Sequence, residues 1–190
     1  MFGIMEATRL ESLHVTQDPA TGLQAIIAMH STRLGPALGG CRYLTYSDSH
    51  SAVADAARLA QSMSYKAALA GLPFGGGKAV ILRPAHVPNR GALFEAFGRF
   101  IETLNGRYIT AVDSGTKSED MDCIAQYTQH VTSTRTAGDP SPHTAMGVFA
   151  GIRASAMARL GSADLQGLRI AVQGLGQVGF ALAEQLAAAG

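Results

Sequence analysis

The chain has 190 residues, 47% of them hydrophobic, which is enough for a real core in one domain or in one domain and part of another. Its 15 basic and 14 acidic residues give a formal charge of +1. No block of like charge occurs, so the sequence lacks the electrostatic footprint of a protein that binds nucleic acid or an anionic membrane. Small molecules and other protein chains are the expected partners.

Cysteine and histidine usage argues against stabilising cross-links and metals. Cys41 and Cys123 are too few and too far apart to indicate a disulfide scaffold or a zinc site. The six His residues lack the paired spacing of metal ligands, so no metal site is expected. The N-terminus shows no secretory pattern and no apolar run reaches membrane-spanning length, so we expect a cytoplasmic protein.

The first predicted elements are a β-hairpin and a helix. Apolar β-runs over 13–16 and 23–30 are joined by a turn that contains Asp-Pro and Thr-Gly. Ala, Leu and Met at helical spacing behind a Ser- and Asp-rich cap predict a helix over 51–67. The segment GLPFGGGKA, residues 71–79, follows this helix.

Three glycines before a lysine suggest a phosphate-binding loop, but the spacing of GLPFGGGKA argues against one. Five residues separate Gly71 from Gly77 where the P-loop pattern has four. Ala79 also occupies the place of the Ser or Thr hydroxyl that holds magnesium. Lys78 therefore needs another explanation.

Strands and helices alternate after the glycines. We predict a strand over 78–84, a helix over 92–105 that Asn-Gly stops, and a strand over 107–112 that places Asp113 at its end. A further helix is predicted over 118–129. This alternation is typical of an α/β protein, here with a mixed sheet flanked by helices.

A polar, Pro-rich connection over 136–144 opens a predicted helix over 144–160 and marks the expected domain boundary. It separates residues 1–140 from residues 141–190. A β-run over 168–173, a glycine turn and an Ala/Leu-rich helix follow.

Gly174, Gly176 and Gly179 complete a G-x-G-x-x-G after the β-run and at the start of the helix, the setting that indicates dinucleotide binding. The acidic residue that binds the ribose lies ~20 residues further on in such folds, and the sequence stops at Gly190. Because one βα unit cannot bury its own apolar faces, we expect the first part of an incomplete Rossmann domain and a longer protein.

Lys66, Lys78 and Asp113 stand at predicted strand or helix ends around the glycine segment. A buried lysine beside another cation loses its proton more readily, and a nearby aspartate can move protons to and from an amine or water. The alternative is purely structural: Lys66 extends from a helix end, Lys78 is solvated in a turn, and Asp113 caps the next helix. The residues alone leave both interpretations open.

Several motifs together resemble the leucine, phenylalanine and valine dehydrogenases. They are LGPALGGCRY, SMSYKAALAGLPFGGGKAVI, FGRFIETLNGRYITAVDSGT, MDCIAQYTQHVTS, GDPSPHTAMGV and VQGLGQVG, in family order from about Leu23 to the last residue. The resemblance implies the NAD-dependent oxidative deamination of an L-amino acid, branched-chain or aromatic, to its 2-oxo acid and ammonia.

The resemblance also implies roles for individual residues. Lys66 resembles the lysine that binds the substrate carboxylate, with the backbone of Gly39 and Gly40 lining the same site. Lys78 resembles the lysine that activates water, and Asp113 the aspartate that exchanges protons with the amine. On this view the glycines before Lys78 bring backbone close to a small substrate.

The remaining implied positions belong to the side-chain pocket and the cofactor. Leu38 and Ala111 resemble pocket residues whose sizes fit leucine dehydrogenase better than the aromatic-specific enzymes. Met63 is expected in the core; the alternative is that its place on the Lys66 helix puts it against the substrate side chain. The implied NAD-binding residues are Thr144, Gly174, Gly176, Gln177, Val178 and Gly179. Arg42 and Tyr43 are expected to be structural.

The resemblance further implies a homo-oligomer, in which the N-terminal hairpin adds its edge to the sheet of another subunit. A second hypothesis is that these 190 residues form a non-catalytic assembly or interaction module derived from the same family. It keeps the hairpin and the core but has no complete dinucleotide site.

Overall fold

The computed structural model describes residues 1–86 and 89–190, which form two compact units, Met1–Gly138 and Asp139–Gly190. The first unit contains α1 (Phe2–Thr8), β1 (Ser12–Asp18), β2 (Leu23–Ser31), β3 (Ala37–Leu44), α2 (Ser49–Leu69), β4 (Gly75–Leu82), α3 (Arg90–Glu102), β5 (Tyr108–Val112) and α4 (Ser118–Ala125). The second contains α5 (Ser141–Leu160) and α6 (Gln177–Ala188).

The five strands form one mixed sheet in the order β1-β2-β4-β3-β5. The strand β2 pairs antiparallel with both β1 and β4, whereas β3 lies parallel to β4 and β5. The predicted mixed sheet flanked by helices is therefore confirmed. The parallel strands β4, β3 and β5 position the charged side chains described in the next subsection.

Alternate residues of each strand face opposite sides of the sheet, so the sheet has two cores. On one side, α3 and α4 pack against the strands through a cluster that includes Phe97, Met121 and Tyr108. On the other side, a row of alanines along α2 lies against Ile26 and Val80. Small residues let α2 lie close to β2 and β4.

The hairpin was predicted correctly, but two elements of the first unit were not predicted. One is α1, and the other is β3, whose central Gly39 and Gly40 do not resemble a strand interior. The pairing of β3 on both sides, with β4 and β5, outweighs the low strand propensity of glycine. The predicted strand over 78–84 instead begins at Gly75, so the glycines belong to the strand.

The second unit contains both helices that the sequence predicts, although α5 begins at Ser141, three residues before the predicted start. The predicted strand over 168–173 was wrong: this segment pairs with no other strand among the described residues. A strand is stabilised by hydrogen bonds to a neighbour, and residues 139–190 supply no second strand.

No described helix is both long and apolar enough to cross a membrane.

The three glycines of β4 each lie against a different neighbour. A Cβ atom on Gly75 would clash with the carbonyl of Ser31, and one on Gly77 would come within 2.8 Å of the Tyr108 ring. A Cβ atom on Gly76 would clash with the backbone of α2. The glycines thus allow close packing within the protein, and the hypothesis that they open the backbone to a substrate is not needed to explain them.

Gly76→Ala is expected to destabilise the first unit by about 1–3 kcal/mol, the usual cost of inserting a group into a packed interior. The added methyl would meet the backbone nitrogen of Ser64 and the carbonyl of Ala60, which cannot move unless α2 moves. Urea unfolding measures the effect. Gly3→Ala is the control, because a Cβ atom at Gly3 meets nothing within 4 Å; equal stability of the two variants would contradict the packing argument.

Candidate active site

Lys78 is a buried lysine in the middle of a sheet. It lies in β4 with only 6% of its surface exposed, between Gly77 and Ala79. Ala79 belongs to the core beneath α3, so alternation places the side chain of Lys78 on the face that carries α2. The structural alternative in which Lys78 is solvated in a turn was therefore wrong.

Asp113 follows the last residue of β5 and is the counter-ion of Lys78. The Lys78 Nζ atom lies 2.9 Å from Oδ2 of Asp113, whose side chain keeps 23% of its surface exposed. The backbone nitrogen of Asp113 donates to Oγ1 of Thr116, and the hydroxyl of Thr116 also lies 2.8 Å from the Asp113 carbonyl. Asp113 does not cap the next helix, because the N-cap of α4 is Lys117.

A second cation reaches the same carboxylate oxygen. Arg42, in β3, donates from Nε to Oδ2 of Asp113 at 2.8 Å and from Nη1 to Oδ2 of Asp55 at 2.8 Å. Asp55 lies on α2 and also accepts hydrogen bonds from Tyr46 and Arg58. An ion-pair network therefore connects α2 to the ends of β3 and β5.

Burial and charge act in opposite directions on Asp113. Burial raises the pKa of this carboxyl, but the charge and hydrogen bond of Lys78, and then those of Arg42, outweigh it and hold the pKa below the ordinary value. Among the described residues, no hydrogen bond involves the second oxygen, Oδ1. Asp113 is thus an ionised carboxylate with one oxygen held by cations and one oxygen available to a ligand.

Three predicted substrate residues lie on the same face as Lys78. Leu38 in β3 pairs with Gly76, and Gly40 pairs with Ala111 in β5, so alternation places Leu38, Gly40 and Ala111 beside Lys78. Leu38 and Ala111 are half-buried. A Cβ atom on Gly40 would lie 2.9 Å from the Cβ of Asp113, so glycine leaves room for the carboxylate.

Gly39 faces the opposite side of the sheet. Its carbonyl accepts a 2.6 Å hydrogen bond from the buried hydroxyl of Tyr108. A side chain at Gly39 would clash with the carbonyl of Gly77 in the neighbouring strand. The contacts of Gly39 are thus with the sheet itself.

Met63 and Lys66 lie on α2, near its C-terminal end. Met63 is half-buried and Lys66 is exposed in the last turn. Lys66 makes no ion pair within residues 1–86 and 89–190, so no direct contact joins it to the Lys78–Asp113 pair. The structure therefore unites Lys78, Asp113, Gly40, Leu38 and Ala111, and leaves Lys66 as an exposed cation.

The second unit contains the glycine turn. Gly174 has a φ of +88°, which favours glycine, and a Cβ atom on Gly179 would clash with the Gly174 carbonyl. A Cβ atom on Gly176, the N-cap of α6, would meet nothing within 4 Å. Gln177 and Val178 follow in the first turn of α6, where backbone N–H groups lack helical partners. The start of α6 thus has open space at Gly176 and backbone N–H groups of the kind that bind anions.

Thr144 lies in the first turn of α5. Its backbone nitrogen and its hydroxyl both donate to the carbonyl of Pro140, at 3.0 and 3.1 Å. The Thr144 side chain is exposed.

Among the described residues no group of three or more His, Cys, Asp or Glu side chains is arranged to hold a metal ion.

Comparison with known proteins identifies the family. The family model for the Glu/Leu/Phe/Val dehydrogenase dimerisation domain matches residues 9–130. The chain belongs to this family. Leucine dehydrogenase from Bacillus subtilis is 50% identical in an alignment that covers 98% of this chain and 52% of that enzyme. Valine dehydrogenase from Streptomyces virginiae is 48% identical over 93% of this chain and 50% of its own length.

Solved structures show the same fold. The crystal structure of L-tryptophan dehydrogenase from Nostoc punctiforme superposes with a TM-score of 0.74 at 40% identity, over 100% of this chain and 54% of the other. A hetero-hexameric glutamate dehydrogenase from Thermus thermophilus gives 0.75 at 24% identity, a likeness of fold alone. The chain spans about half the length of the curated dehydrogenases that it matches.

Sequence reasoning missed two residues of this ion-pair network, Arg42 and Asp55. Arg42 was assigned a structural role and Asp55 was not singled out. The sequence did contain a signal for Arg42, because it follows Gly40 by two residues. In a strand this spacing places both residues on the same face of the sheet. Because β3 was not predicted, that signal could not be used.

Proposed function

We propose that this chain is the N-terminal part of an NAD-dependent L-amino-acid dehydrogenase, which converts a branched-chain or aromatic L-amino acid and water reversibly to its 2-oxo acid and ammonia. The observation that carries the proposal is the ion pair of buried Lys78 with partly buried Asp113, 2.9 Å apart. Family membership supports the same activity. A fixed cation and two proton-transferring groups are what this reaction requires.

Lys66 is proposed to bind the substrate carboxylate. It is an exposed cation without an ion-pair partner in the described part of the chain, so its charge is available to an anion. Leu38, Ala111 and Met63, all half-buried, are proposed to contact the substrate side chain. Their moderate size favours a branched aliphatic side chain over an aromatic one.

Lys78 and Asp113 are proposed to move the protons. Asp113 first takes a proton from the substrate ammonium group, and the resulting amine loses hydride from Cα to become an iminium. Lys78, once it has released its own proton to solvent, takes a proton from the water that attacks the iminium carbon. Asp113 then returns its proton to the nitrogen, which leaves and takes up the hydroxyl proton, so that the 2-oxo acid and an ammonium ion form. The ion pair explains how both groups are held within reach of one substrate atom.

The bound nicotinamide would supply the hydride acceptor. We propose that Gly174, Gly176 and Gly179 shape the turn that receives the pyrophosphate, with the N–H groups of Gln177 and Val178 as donors. The open space at Gly176 and the N-terminus of α6 support this assignment. Thr144, exposed at the start of α5, is proposed to lie at the nicotinamide end of the cofactor site.

Steady-state assays of the longer protein that contains this chain test the proposed function. NADH formation is measured with leucine, valine, isoleucine and phenylalanine, and ammonia release is measured in parallel. We expect saturable turnover with at least one of them and equal amounts of NADH and ammonia. Absence of NADH formation with all L-amino acids in a folded protein would refute the dehydrogenase assignment.

We also propose a homo-oligomer that assembles through β1, and a cytoplasmic location consistent with the free thiols of Cys41 and Cys123. The strand β1 is an edge of the sheet, and Val15 on it is 58% exposed. Edge strands have unpaired backbone groups that a second copy can pair.

Val15→Lys is expected to shift the oligomer towards monomers, because charged side chains on edge strands oppose pairing between sheets. Analytical ultracentrifugation measures the mass. Leu34→Lys, which replaces another exposed apolar residue outside the strands, is the matched control. Identical masses for both variants and the wild type would show that β1 is not the interface.

A further inference from the structure

Arg42 occupies an unusual position, because it connects two carboxylates from different elements. Its Nε atom donates to Asp113 at the end of β5 and its Nη1 atom donates to Asp55 on α2, each at 2.8 Å. The Arg42 side chain is only 20% exposed and that of Asp55 only 17%. The guanidinium is therefore held at both ends, in one orientation, against the carboxylate of the proposed site.

Asp55 is itself tightly held. Its Oδ2 accepts from the Tyr46 hydroxyl at 2.8 Å as well as from Arg42, and its Oδ1 accepts from Arg58 at 2.8 Å. Burial raises the pKa of Asp55, but the hydrogen bonds from Tyr46, Arg58 and Arg42 outweigh burial and lower it. Asp55 thus favours its ionised form and holds Arg42 through Nη1, whereas Asp113 accepts from Nε.

The two cations on Asp113 differ in chemistry. Lys78 changes its protonation state if it acts as a base, so its attraction for Asp113 is lost during part of the reaction. Arg42 keeps its charge throughout, because a guanidinium does not lose its proton in proteins. After Lys78 releases its proton, Arg42 is the remaining charged partner of Asp113 among the described residues.

We propose that Arg42, anchored by Asp55, is a positioning residue that holds Oδ2 of Asp113 throughout the reaction and directs Oδ1 towards the substrate nitrogen. The proposal rests on the proposed function of Asp113. Because Arg42 favours the ionised carboxylate, Asp113 readily gives up a proton that it has taken, and this promotes departure of ammonia. A merely structural Arg42 would join α2 to the sheet without influencing the protonation of Asp113.

The groups that face Asp113 determine the direction of the expected change. Within residues 1–86 and 89–190 they are Lys78 from β4, Arg42 from β3, and the hydroxyl of Thr116, which bonds to backbone groups of Asp113 and Cys41. Asp55 and Tyr46 reach this site through Arg42. Removal of the Arg42 charge therefore raises the pKa of Asp113.

The first test measures the pKa of Asp113 in this chain by carbon-13 NMR of its carboxyl group, which requires no turnover. We expect the pKa to be higher in Arg42→Gln than in the wild type. Arg58→Gln is the matched control, because it removes the same charge from the same Asp55 without touching Asp113; its Asp113 should titrate as in the wild type. An unchanged pKa in folded Arg42→Gln overturns the proposal.

Arg42→Lys keeps the experiment decisive if Arg42→Gln does not fold. An ammonium group keeps the charge but cannot bridge two carboxylates in the fixed geometry of a guanidinium. We expect the pKa of Asp113 to lie above the wild-type value in Arg42→Lys, by less than in Arg42→Gln. A wild-type pKa in folded Arg42→Lys also overturns the proposal.

The second test measures kcat and its pH dependence in the longer protein. Arg42→Gln is expected to lower kcat by about 10²-fold, the effect of a misplaced catalytic group, and to move the acid limb of the profile to higher pH. Arg58→Gln should show neither change, and a wild-type profile in Arg42→Gln contradicts the proposal. If the wild type itself forms no NADH, the proposed function fails, whereas the NMR result still decides whether Arg42 controls Asp113.

Discussion

Lys78→Met is expected to lower kcat of the proposed dehydrogenase by about 10²–10⁴-fold, the contribution of a well-placed proton-transfer group. Methionine is a flexible, apolar side chain of similar length, and Lys78 is 6% exposed, so the substitution fits the buried position in β4. Asp113 keeps Arg42 as a partner in this variant. A lower kcat in this variant is therefore caused by the missing amine and not by a change in the structure of the site.

Rapid-mixing kinetics with a saturating substrate measure the effect, since they separate the chemical steps from product release. Circular dichroism and urea unfolding of the same preparation establish that the variant is folded. Lys117→Met, which changes an exposed lysine before α4, is the control and should turn over as the wild type. A folded Lys78→Met variant with wild-type kcat would show that Lys78 does not activate the water.

The pairing of Lys78 with Asp113 illustrates what the sequence can predict. Both residues were singled out because the predicted strands put Lys78 at the start of one and Asp113 after the end of another, and because the surrounding motifs resemble a known family. The structure confirms the position of Asp113 after β5, whereas Lys78 lies inside β4, so local patterns did not predict that the two side chains meet. The resemblance then selected the functional interpretation over the structural one, a choice that local patterns had left open.

Arg42 and Asp55 show why the rest could not be predicted. They lie 13 residues apart in the chain, on a strand and a helix, and they meet only because α2 crosses the sheet beside β3. Such a contact depends on packing, which no period in the sequence encodes. The central glycines of β3 also concealed the strand, since glycine in a strand pattern usually indicates a bulge or a break.

The glycine segment before Lys78 was explained only by the structure. Gly75, Gly76 and Gly77 look equivalent in the sequence, yet they avoid clashes with a neighbouring strand segment, a helix backbone and an aromatic ring, respectively. Their effect on Lys78 is indirect, because they let α2 and β3 approach β4 closely. This close packing buries Lys78 and places it opposite the end of β5.

Asp113→Asn is expected to lower kcat by about 10²–10⁴-fold, as Lys78→Met is. Unlike Lys78→Met, it is also expected to destabilise the first unit. The amide has nearly the shape of the carboxylate but no charge, so Lys78 and Arg42 would converge on a neutral group. Removing one partner of a buried ion pair costs about 3–5 kcal/mol. Because Asp113 is 23% exposed, we expect a loss near the lower end of that range.

The pH dependence of urea unfolding identifies the carboxylate charge as the cause. The pKa of Asp113 is lowered in the folded state from its ordinary value of 3.8, so its stabilisation is fully present well above that value and is lost as the pH falls through the folded pKa. The difference in stability between wild type and Asp113→Asn should therefore shrink in acid. A constant difference would mean that shape, and not charge, is responsible.

Asp122→Asn is the matched control for Asp113→Asn. Asp122 pairs with Arg135, whose side chain is 68% exposed, and exposed pairs contribute only about 0–1 kcal/mol. We expect wild-type kcat and nearly wild-type stability for this variant. If both Asn variants lose stability equally and neither loses turnover, Asp113 is a structural counter-ion of Lys78 and Arg42, and the protons of the amine must be moved by another group.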